Sequence, residues 1–137
     1  MPESSLAKKL KIKPMQRAAL IHAPPGYVKE LGSLPTGVEL AEKLSGKFDW
    51  VQLFVKNKAE LDKLLSKTVR ALKPESLLWI SYPKGRSKIQ TDLTRDKGWE
   101  SLQKADLKWV TLISVNETWS AFALRPYKPG EARQTFR

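Results

Sequence analysis

Three almost continuously apolar stretches, separated by turn signals and helical patterns, most limit the folds open to this chain. They are RAALIHA at residues 17–23, KFDWVQLFV at residues 47–55 and SLLWISY at residues 76–82. Strands that are apolar throughout are typical of a sheet whose two faces are both covered. Since helical patterns alternate with these strands, we predict an α/β fold with a mainly parallel sheet and helices on both faces.

The remaining elements complete this pattern. The clearest helix begins after Asn57, a good N-cap, and Glu60 completes a capping box three residues later. Residues 107–115 and 119–125 are typical of two strands joined by a short polar turn, so we predict a C-terminal antiparallel hairpin at the edge of the sheet. Weaker patterns predict a strand at 36–42 and helical turns at 5–10, 26–32 and 94–104.

The length of 137 residues suits one domain. We assign residues 15–128 to a single α/β domain, residues 1–14 to a basic N-terminal arm with a short helix, and residues 129–137 to a flexible basic tail. The net charge is +11, and more than half of the excess lies in residues 1–17 and 126–137. Basic ends can hold phosphate polymers, which keeps nucleic acid among the partners to consider.

Composition excludes several kinds of chemistry. The chain has no cysteine and a single histidine, His22, which excludes thiolate catalysis and a multi-histidine metal centre. We expect His22, within an apolar strand, to be a buried core residue rather than a general base, and the five tryptophans to pack in the core. Without a long apolar segment or a secretory signal, we expect a soluble, cytoplasmic protein with no membrane partner.

Several short motifs follow one another along the chain: APPG at 23–26, LPTG at 34–37, FVK and AEL within 54–61, LKPESLLWISYPK at 72–84, TDLT at 91–94 and NETWS at 116–120. The order of the elements and these motifs resemble the Rossmann sheet of class I methyltransferases. As a set, the motifs resemble more closely a family of small bacterial proteins of unknown function, over residues 6–125. This resemblance implies a three-layer, truncated methyltransferase-like Rossmann fold, mainly parallel with a C-terminal antiparallel hairpin, and no established activity.

The chain departs from the methyltransferase pattern at the loop that would hold the cofactor. That pattern has a glycine-rich loop after its first strand, whereas this chain has Pro24, Pro25 and a single Gly26. Proline lacks an N–H group and fixes φ at about −65°, which prevents a wide glycine-type loop. The pattern also has an acidic residue at the end of its second strand to hold the ribose hydroxyls; Glu39 or Glu42 could do so, but neither is clearly placed there. We therefore expect no cofactor, and specifically no binding of S-adenosylmethionine.

Ligands of an open parallel sheet bind beyond the carboxyl ends of the strands, where the strand order reverses. The predicted sheet brings the ends of the three apolar strands together at this place. Lysines and helix N-termini near these ends favour an anion. The candidate ligand-binding residues are Pro24, Pro25, Gly26, Tyr27, Lys56, Asn57, Ser81, Pro83, Lys84, Arg86, Lys88, Thr91, Asp92, Thr94, Trp119 and Ser120.

These observations favour a non-catalytic binding or regulatory module. Its crevice would bind an anionic small molecule, or its surface would bind a protein or a nucleic acid. We predict no catalytic residues and no metal site. An atypical or degenerate S-adenosylmethionine-dependent methyltransferase is the enzyme alternative, which Glu39 or Glu42 lying in the crevice would support. A basic protein associated with nucleic acid is the second alternative.

Overall fold

Six strands form one mixed sheet in the computed structural model, which describes residues 6–32, 34–84, 99, 102, 105 and 107–132. The strands are β1 (Arg17–Ile21), β2 (Glu39–Ala41), β3 (Phe48–Phe54), β4 (Leu72–Pro83), β5 (Leu107–Ser114) and β6 (Trp119–Pro126). The helices of the described residues are α1 (Leu6–Lys9), α2 (Tyr27–Leu31) and α3 (Lys58–Arg70). Most of the helix expected at 94–104 lies outside the described residues.

The strand order is β2-β1-β3-β4-β6-β5, and the first four strands are parallel. The predicted α/β Rossmann-like class and the C-terminal hairpin are confirmed. The hairpin does not simply extend the edge, however, because β6 lies between β4 and β5 and is antiparallel to both. The burial of the two strands agrees with this order: four successive residues of β6, 121–124, are buried, as a central strand requires, whereas β5 exposes Val110 and Leu112, as an edge strand can.

Two apolar clusters cover the two faces of the sheet. Alternate residues of β1 separate between them, with Ala19 and Ile21 in one cluster and Ala18 and Leu20 in the other. The buried face of α3 belongs to the first cluster, while α1 and α2 belong to the second. The sheet is therefore the middle layer of three, and α3 lies on the opposite face from α1 and α2.

The segment after α1 enters the core, although the sequence analysis assigns residues 1–14 to an arm. Leu10 is fully buried, and its backbone carbonyl accepts hydrogen bonds from the indole N–H groups of Trp50, at 2.9 Å, and Trp79, at 2.8 Å. Ile12 is also buried. One carbonyl thus satisfies two buried indole donors from neighbouring central strands, which would otherwise cost free energy in an apolar layer.

The tryptophans pack in the core as expected from the sequence. Trp50, Trp79, Trp99 and Trp119 are buried, and Trp109 packs edge-on against Phe122.

Beyond β6, Glu131 lies in the segment assigned to the tail, and its carboxylate bonds to Arg125 and Lys108. The Arg125 hydrogen bonds are the main reason that the pKa of Glu131 lies far below its usual range. Among the described residues, no helix is both long and apolar enough to cross a membrane.

Leu10→Ala tests the contribution of the segment after α1. Truncation of this fully buried side chain should lower the free energy of unfolding by about 2–5 kcal/mol, since it leaves a cavity between α1 and the sheet. Leu112→Ala, which removes the same atoms from an edge-strand side chain that is 38% exposed, is the matched control. Urea denaturation followed by tryptophan fluorescence measures both, and equal losses would contradict the assignment of Leu10 to the core.

Asp49 of β3 joins three strands at the amino end of the sheet. Its carboxylate accepts from the backbone N–H of Arg17 at 2.8 Å and from the Lys73 ammonium at 2.9 Å. The two hydrogen bonds hold the pKa of the Asp49 carboxyl below its usual value, and the bond from the Arg17 backbone has the larger effect. Because the folded-state pKa lies below the unfolded one, this stabilisation is present above the unfolded pKa and is lost as the pH falls through the folded value.

Asp49→Asn should therefore lower stability at pH 6 and matter little in acid. The free energies of unfolding of the two proteins should converge as the pH drops below the ordinary carboxyl range, about 4. Denaturation curves collected between pH 3 and pH 7 make the comparison. A difference that does not change with pH would mean that the carboxylate charge at residue 49 plays no part.

Candidate functional site

The strand order reverses at β1, which lies between β2 and β3. The chain runs from β1 to β2 on one side and then crosses to β3 on the other, so a crevice opens beyond the carboxyl ends of these strands. Two cavities occupy this crevice, and we name them by the strands that they adjoin. The β1–β2 cavity has a volume of about 570 Å³ and the β1–β3 cavity about 510 Å³. They share one wall, formed by residues 22–25.

The shared wall leads into a tight turn whose geometry follows from Pro25 and Gly26. The backbone N–H of Tyr27 donates to the carbonyl of Pro24 at 3.1 Å, and Gly26 has φ +80° and ψ 0°. Proline at the second position and glycine with positive φ at the third are the residues that a type II turn requires. The predicted proline turn is therefore present, and it begins the short helix α2.

The β1–β2 cavity contains the acidic residue that the sequence analysis left open between two positions. Glu42 follows the last residue of β2 directly and lines this cavity, together with Lys29 and Val28 of α2. Glu39 is the first residue of β2 and lies at its opposite end. Because parallel strands end at the same edge of the sheet, Glu42 faces the turn after β1.

The β1–β3 cavity combines an aromatic wall with polar side chains. Phe54, the last residue of β3, packs edge-on against Trp119 with ring centroids 5.0 Å apart. Trp119, one of the candidate ligand-binding residues, is buried and lines this cavity. The polar side chains of the lining are those of His22, Lys56, Glu60 and Thr118.

The expectation that His22 is a buried core residue is wrong. The strand β1 ends at Ile21, and His22 is exposed with φ +60°, in the left-handed region that side chains rarely adopt. The chain must leave the sheet before Pro24, and this conformation turns the imidazole out of the strand. His22 consequently lines both cavities.

A buried chain of polar side chains supports the floor of the crevice. The Tyr27 hydroxyl donates to Gln52 Oε1 at 2.9 Å, and Gln52 Nε2 donates to Ser81 Oγ at 2.9 Å. All three residues are almost fully buried, and burial raises the pKa of Tyr27 well above its usual range. Ser81, a candidate ligand-binding residue, thus has a hydrogen-bond partner within the protein.

The N-terminus of α3 is capped by its own side chains. Asn57 Oδ1 accepts from the backbone N–H of Glu60 at 2.9 Å, and Glu60 Oε1 accepts from the backbone N–H of Lys56 at 2.6 Å. Asn57 therefore caps the helix as expected from the sequence, while Glu60 bonds one residue before the N-cap, to Lys56, rather than to Asn57 as in the usual capping box. Because these N–H groups are already bonded, and a carboxylate lies beside them, this helix end is less suited to an anion than the sequence indicates.

The structure brings some of the predicted residues to the crevice and separates others. Pro24, Pro25, Gly26, Tyr27, Lys56 and Trp119 line the cavities. Pro83 pairs with Trp119 at the end of β4, the Lys84 ammonium bonds to Ser114 Oγ, and Ser120 lies opposite Tyr82 within β6. Arg86, Lys88, Thr91, Asp92 and Thr94 lie outside the described residues.

Several residues in or beneath the crevice were not predicted as site residues, and three of them, Gln52, Glu60 and Thr118, show why. Gln52 had a signal, since it is the one amide within the apolar run at 47–55. Glu60 was interpreted only as a capping residue, although the same side chain also lines the β1–β3 cavity. Thr118 reaches this cavity because β6 enters the sheet between β4 and β5, which no local pattern could indicate.

No protein-family model and no curated protein matches the chain. Solved structures match its fold at low sequence identity. A ribosomal protein L11 methylase from Lactobacillus delbrueckii subsp. bulgaricus is 13% identical with a TM-score of 0.58, over 89% of this chain and 76% of that one. DhpI in its complex with SAH is 10% identical with a TM-score of 0.59, over 84% and 78%.

A tRNA methyltransferase of B. subtilis, TrmK, is 12% identical with a TM-score of 0.56, over 92% of this chain and 67% of that one. At these identities the likeness shows the fold, which is methyltransferase-like. The expectation that S-adenosylmethionine does not bind is contradicted by these neighbours, since DhpI holds SAH on the same fold. That expectation depended chiefly on the proline loop, and the structure adds a feature that is independent of this loop, since Glu42 lines the crevice.

Gln52→Leu tests the buried polar chain. It should lower the free energy of unfolding by about 1–3 kcal/mol for each buried group that loses its partner, here the Tyr27 hydroxyl and Ser81 Oγ. Ser81→Ala leaves only the Gln52 amide without its acceptor and should cost less. Urea denaturation ranks the two variants, and a neutral Gln52→Leu would show that these groups find other partners.

Proposed function

We propose that the protein binds S-adenosylmethionine in the β1–β2 cavity and is an atypical domain of the methyltransferase type. The observation that carries the proposal is the position of Glu42, directly after β2 and in the same cavity as the turn after β1. In nucleotide-binding Rossmann folds, an acidic residue about 20 positions beyond the first loop holds the ribose hydroxyls. Glu42 has the carboxylate for this role.

The rest of the cavity lining suits an adenosine-carrying ligand. Leu20, Val28 and Pro25 supply apolar surface for a base, and the volume of about 570 Å³ lies within the range of ordinary small-molecule sites. Gly26 leaves open space beside its backbone, since a Cβ atom built there would have no neighbour within 4 Å. A ligand can therefore approach the chain closely at this turn despite the two prolines.

The charges of the lining favour a zwitterion over a polyanion. The β1–β2 cavity carries Glu42 and Lys29, and the β1–β3 cavity carries Glu60 and Lys56. S-adenosylmethionine itself carries a carboxylate together with an ammonium and a sulfonium group, whereas a polyanion would meet a carboxylate in either cavity. Nothing in the described residues or in the comparisons favours the non-catalytic module that the sequence analysis preferred.

The β1–β3 cavity is the natural place for a methyl acceptor, because it shares the wall of residues 22–25 with the proposed cofactor site. When bound, the cofactor supplies a methyl group on a positively charged sulfur. His22 and Glu60 line the neighbouring cavity, and an imidazole or a carboxylate there can accept a proton from the acceptor. Phe54 and Trp119 offer a flat apolar surface for the acceptor itself.

Calorimetric titration with S-adenosylmethionine and with S-adenosylhomocysteine tests the proposal. Glu42→Gln should weaken binding of both by about tenfold or more, since a hydrogen bond to a charged group contributes about 1.5–3 kcal/mol. Glu39→Gln, the same change at the opposite end of β2, is the matched control and should bind like the unaltered protein.

Two results would overturn the proposal. One is the absence of saturable binding by the unaltered protein at low millimolar ligand. The other is an equal effect of the two substitutions, which would leave Glu42 without a specific role. A parallel titration with pyrophosphate distinguishes this cofactor from a general anion, because the mixed charge of the cavities predicts that pyrophosphate binds more weakly.

A further inference from the structure

We propose that the surface formed by α1, the turn after it and α2 binds the phosphate backbone of a nucleic acid. This surface carries five exposed lysines and is here named the basic face. It is distinct from the two cavities, although Lys29 of α2 lies at the border with the β1–β2 cavity. The lysines of the basic face are Lys8, Lys9, Lys11, Lys13 and Lys29.

The two helices carry Lys8, Lys9 and Lys29, and the segment directly after α1 carries Lys11 and Lys13. The apolar residues Ala7 and Leu10 from the α1 region, and Tyr27 and Leu31 from α2, are buried in the same cluster against one face of the sheet. Their charged neighbours in sequence are exposed and therefore lie on the outer side of this layer. The buried residues thus fix the orientation of the basic ones.

The charge of this layer is one-sided. Residues 6–32 contain six basic residues and a single acidic one, Glu30, whose carboxylate bonds to the Asn116 amide. On the opposite face of the sheet, α3 has four basic and two acidic residues, and Lys58 pairs with Asp62 at 3.2 Å. Of these two described layers, the one with α1 and α2 therefore carries the larger excess of positive charge, which can attract phosphate groups from solution.

The basic face is also held in a defined position. The Lys9 ammonium donates to the carbonyl of Ser114 at 2.7 Å, which ties α1 to the end of β5. The Leu10 carbonyl, bonded to two indoles, fixes the turn that carries Lys11. Charges on a fixed platform lose less conformational entropy on binding than charges on a free arm.

The chemistry of the face favours nucleic acid over a membrane or a folded protein. The apolar residues of α1 point into the core, and Met15 and Val28 are the strongly exposed large apolar residues of the segment, too few to insert into a lipid layer. Its one aromatic residue, Tyr27, is 1% exposed and cannot stack on a base. Contact through phosphates alone predicts binding that depends on salt and not on base sequence.

Fluorescence anisotropy with a labelled single-stranded RNA of mixed sequence, and with the corresponding DNA, tests this inference on the full chain. If about four lysines each neutralise one phosphate, the plot of log affinity against log salt should have a slope of about −3. The double variant Lys11→Glu/Lys13→Glu should lower the affinity about tenfold or more and make the slope less negative by about one or two.

The matched control is Lys63→Glu/Lys67→Glu, which makes the same change in net charge on α3, on the opposite face of the sheet. It should bind within about threefold of the unaltered protein, since charges beyond a Debye length of about 10 Å are largely screened. Equal losses in the two double variants would overturn the proposal, because they would reduce the effect to net charge. Circular dichroism and thermal unfolding confirm that both variants fold.

Two further outcomes would also overturn it. One is a lack of binding to either oligonucleotide at 50 mM salt, and the other is binding to vesicles of anionic phospholipid without binding to RNA or DNA. Equal affinity for RNA and DNA supports phosphate recognition, while a preference for RNA adds contacts to its 2′-hydroxyl groups. The inference is independent of the proposed cofactor, since Lys11→Glu/Lys13→Glu should leave the S-adenosylmethionine titration unchanged.

Discussion

The backbone carbonyl of Leu10 holds together parts of the chain that are far apart in sequence. Its two hydrogen bonds come from Trp50 in β3 and Trp79 in β4, so a short N-terminal segment is attached to the two central parallel strands. A single acceptor for two large buried donors leaves little freedom in the position of this segment. The layer of α1 and α2, and with it the basic face and one wall of the crevice, takes its position from this contact.

Local patterns in the sequence were enough to predict the elements and the fold class. The apolar runs identified β1, β3 and β4, and the capping box at Asn57 and Glu60 identified the start of α3. Neighbour relations across the sheet were less accessible. The insertion of β6 between β4 and β5 depends on burial of successive small and aromatic residues from both sides, a property that is only visible once the strands are paired.

The set of residues that line the crevice follows only in part from the sequence. The turn at residues 24–27 and Lys56 were expected at the crevice, and they are there. His22 was assigned to the core because the apolar run at residues 17–23 does not show that β1 ends at Ile21, before the chain reaches Pro24. The polar chain through Gln52 joins three elements and has no local signature. Which of Glu39 and Glu42 lies at the crevice depends on where β2 begins and ends and on how it pairs with β1. A strand of three residues shows neither in the sequence.

The central position of β6 has a consequence for how the protein is made. During synthesis the chain leaves the ribosome from its N-terminus, so β4 and β5 emerge before the strand that joins them. Until residues 119–126 have left the ribosome, β4 and β5 each keep an unpaired edge, and the six-stranded sheet cannot form. Completion of the sheet must therefore wait until residues 119–126 have been released, and a nascent chain stalled before Trp119 would expose the edges of β4 and β5 to chaperones and to other chains.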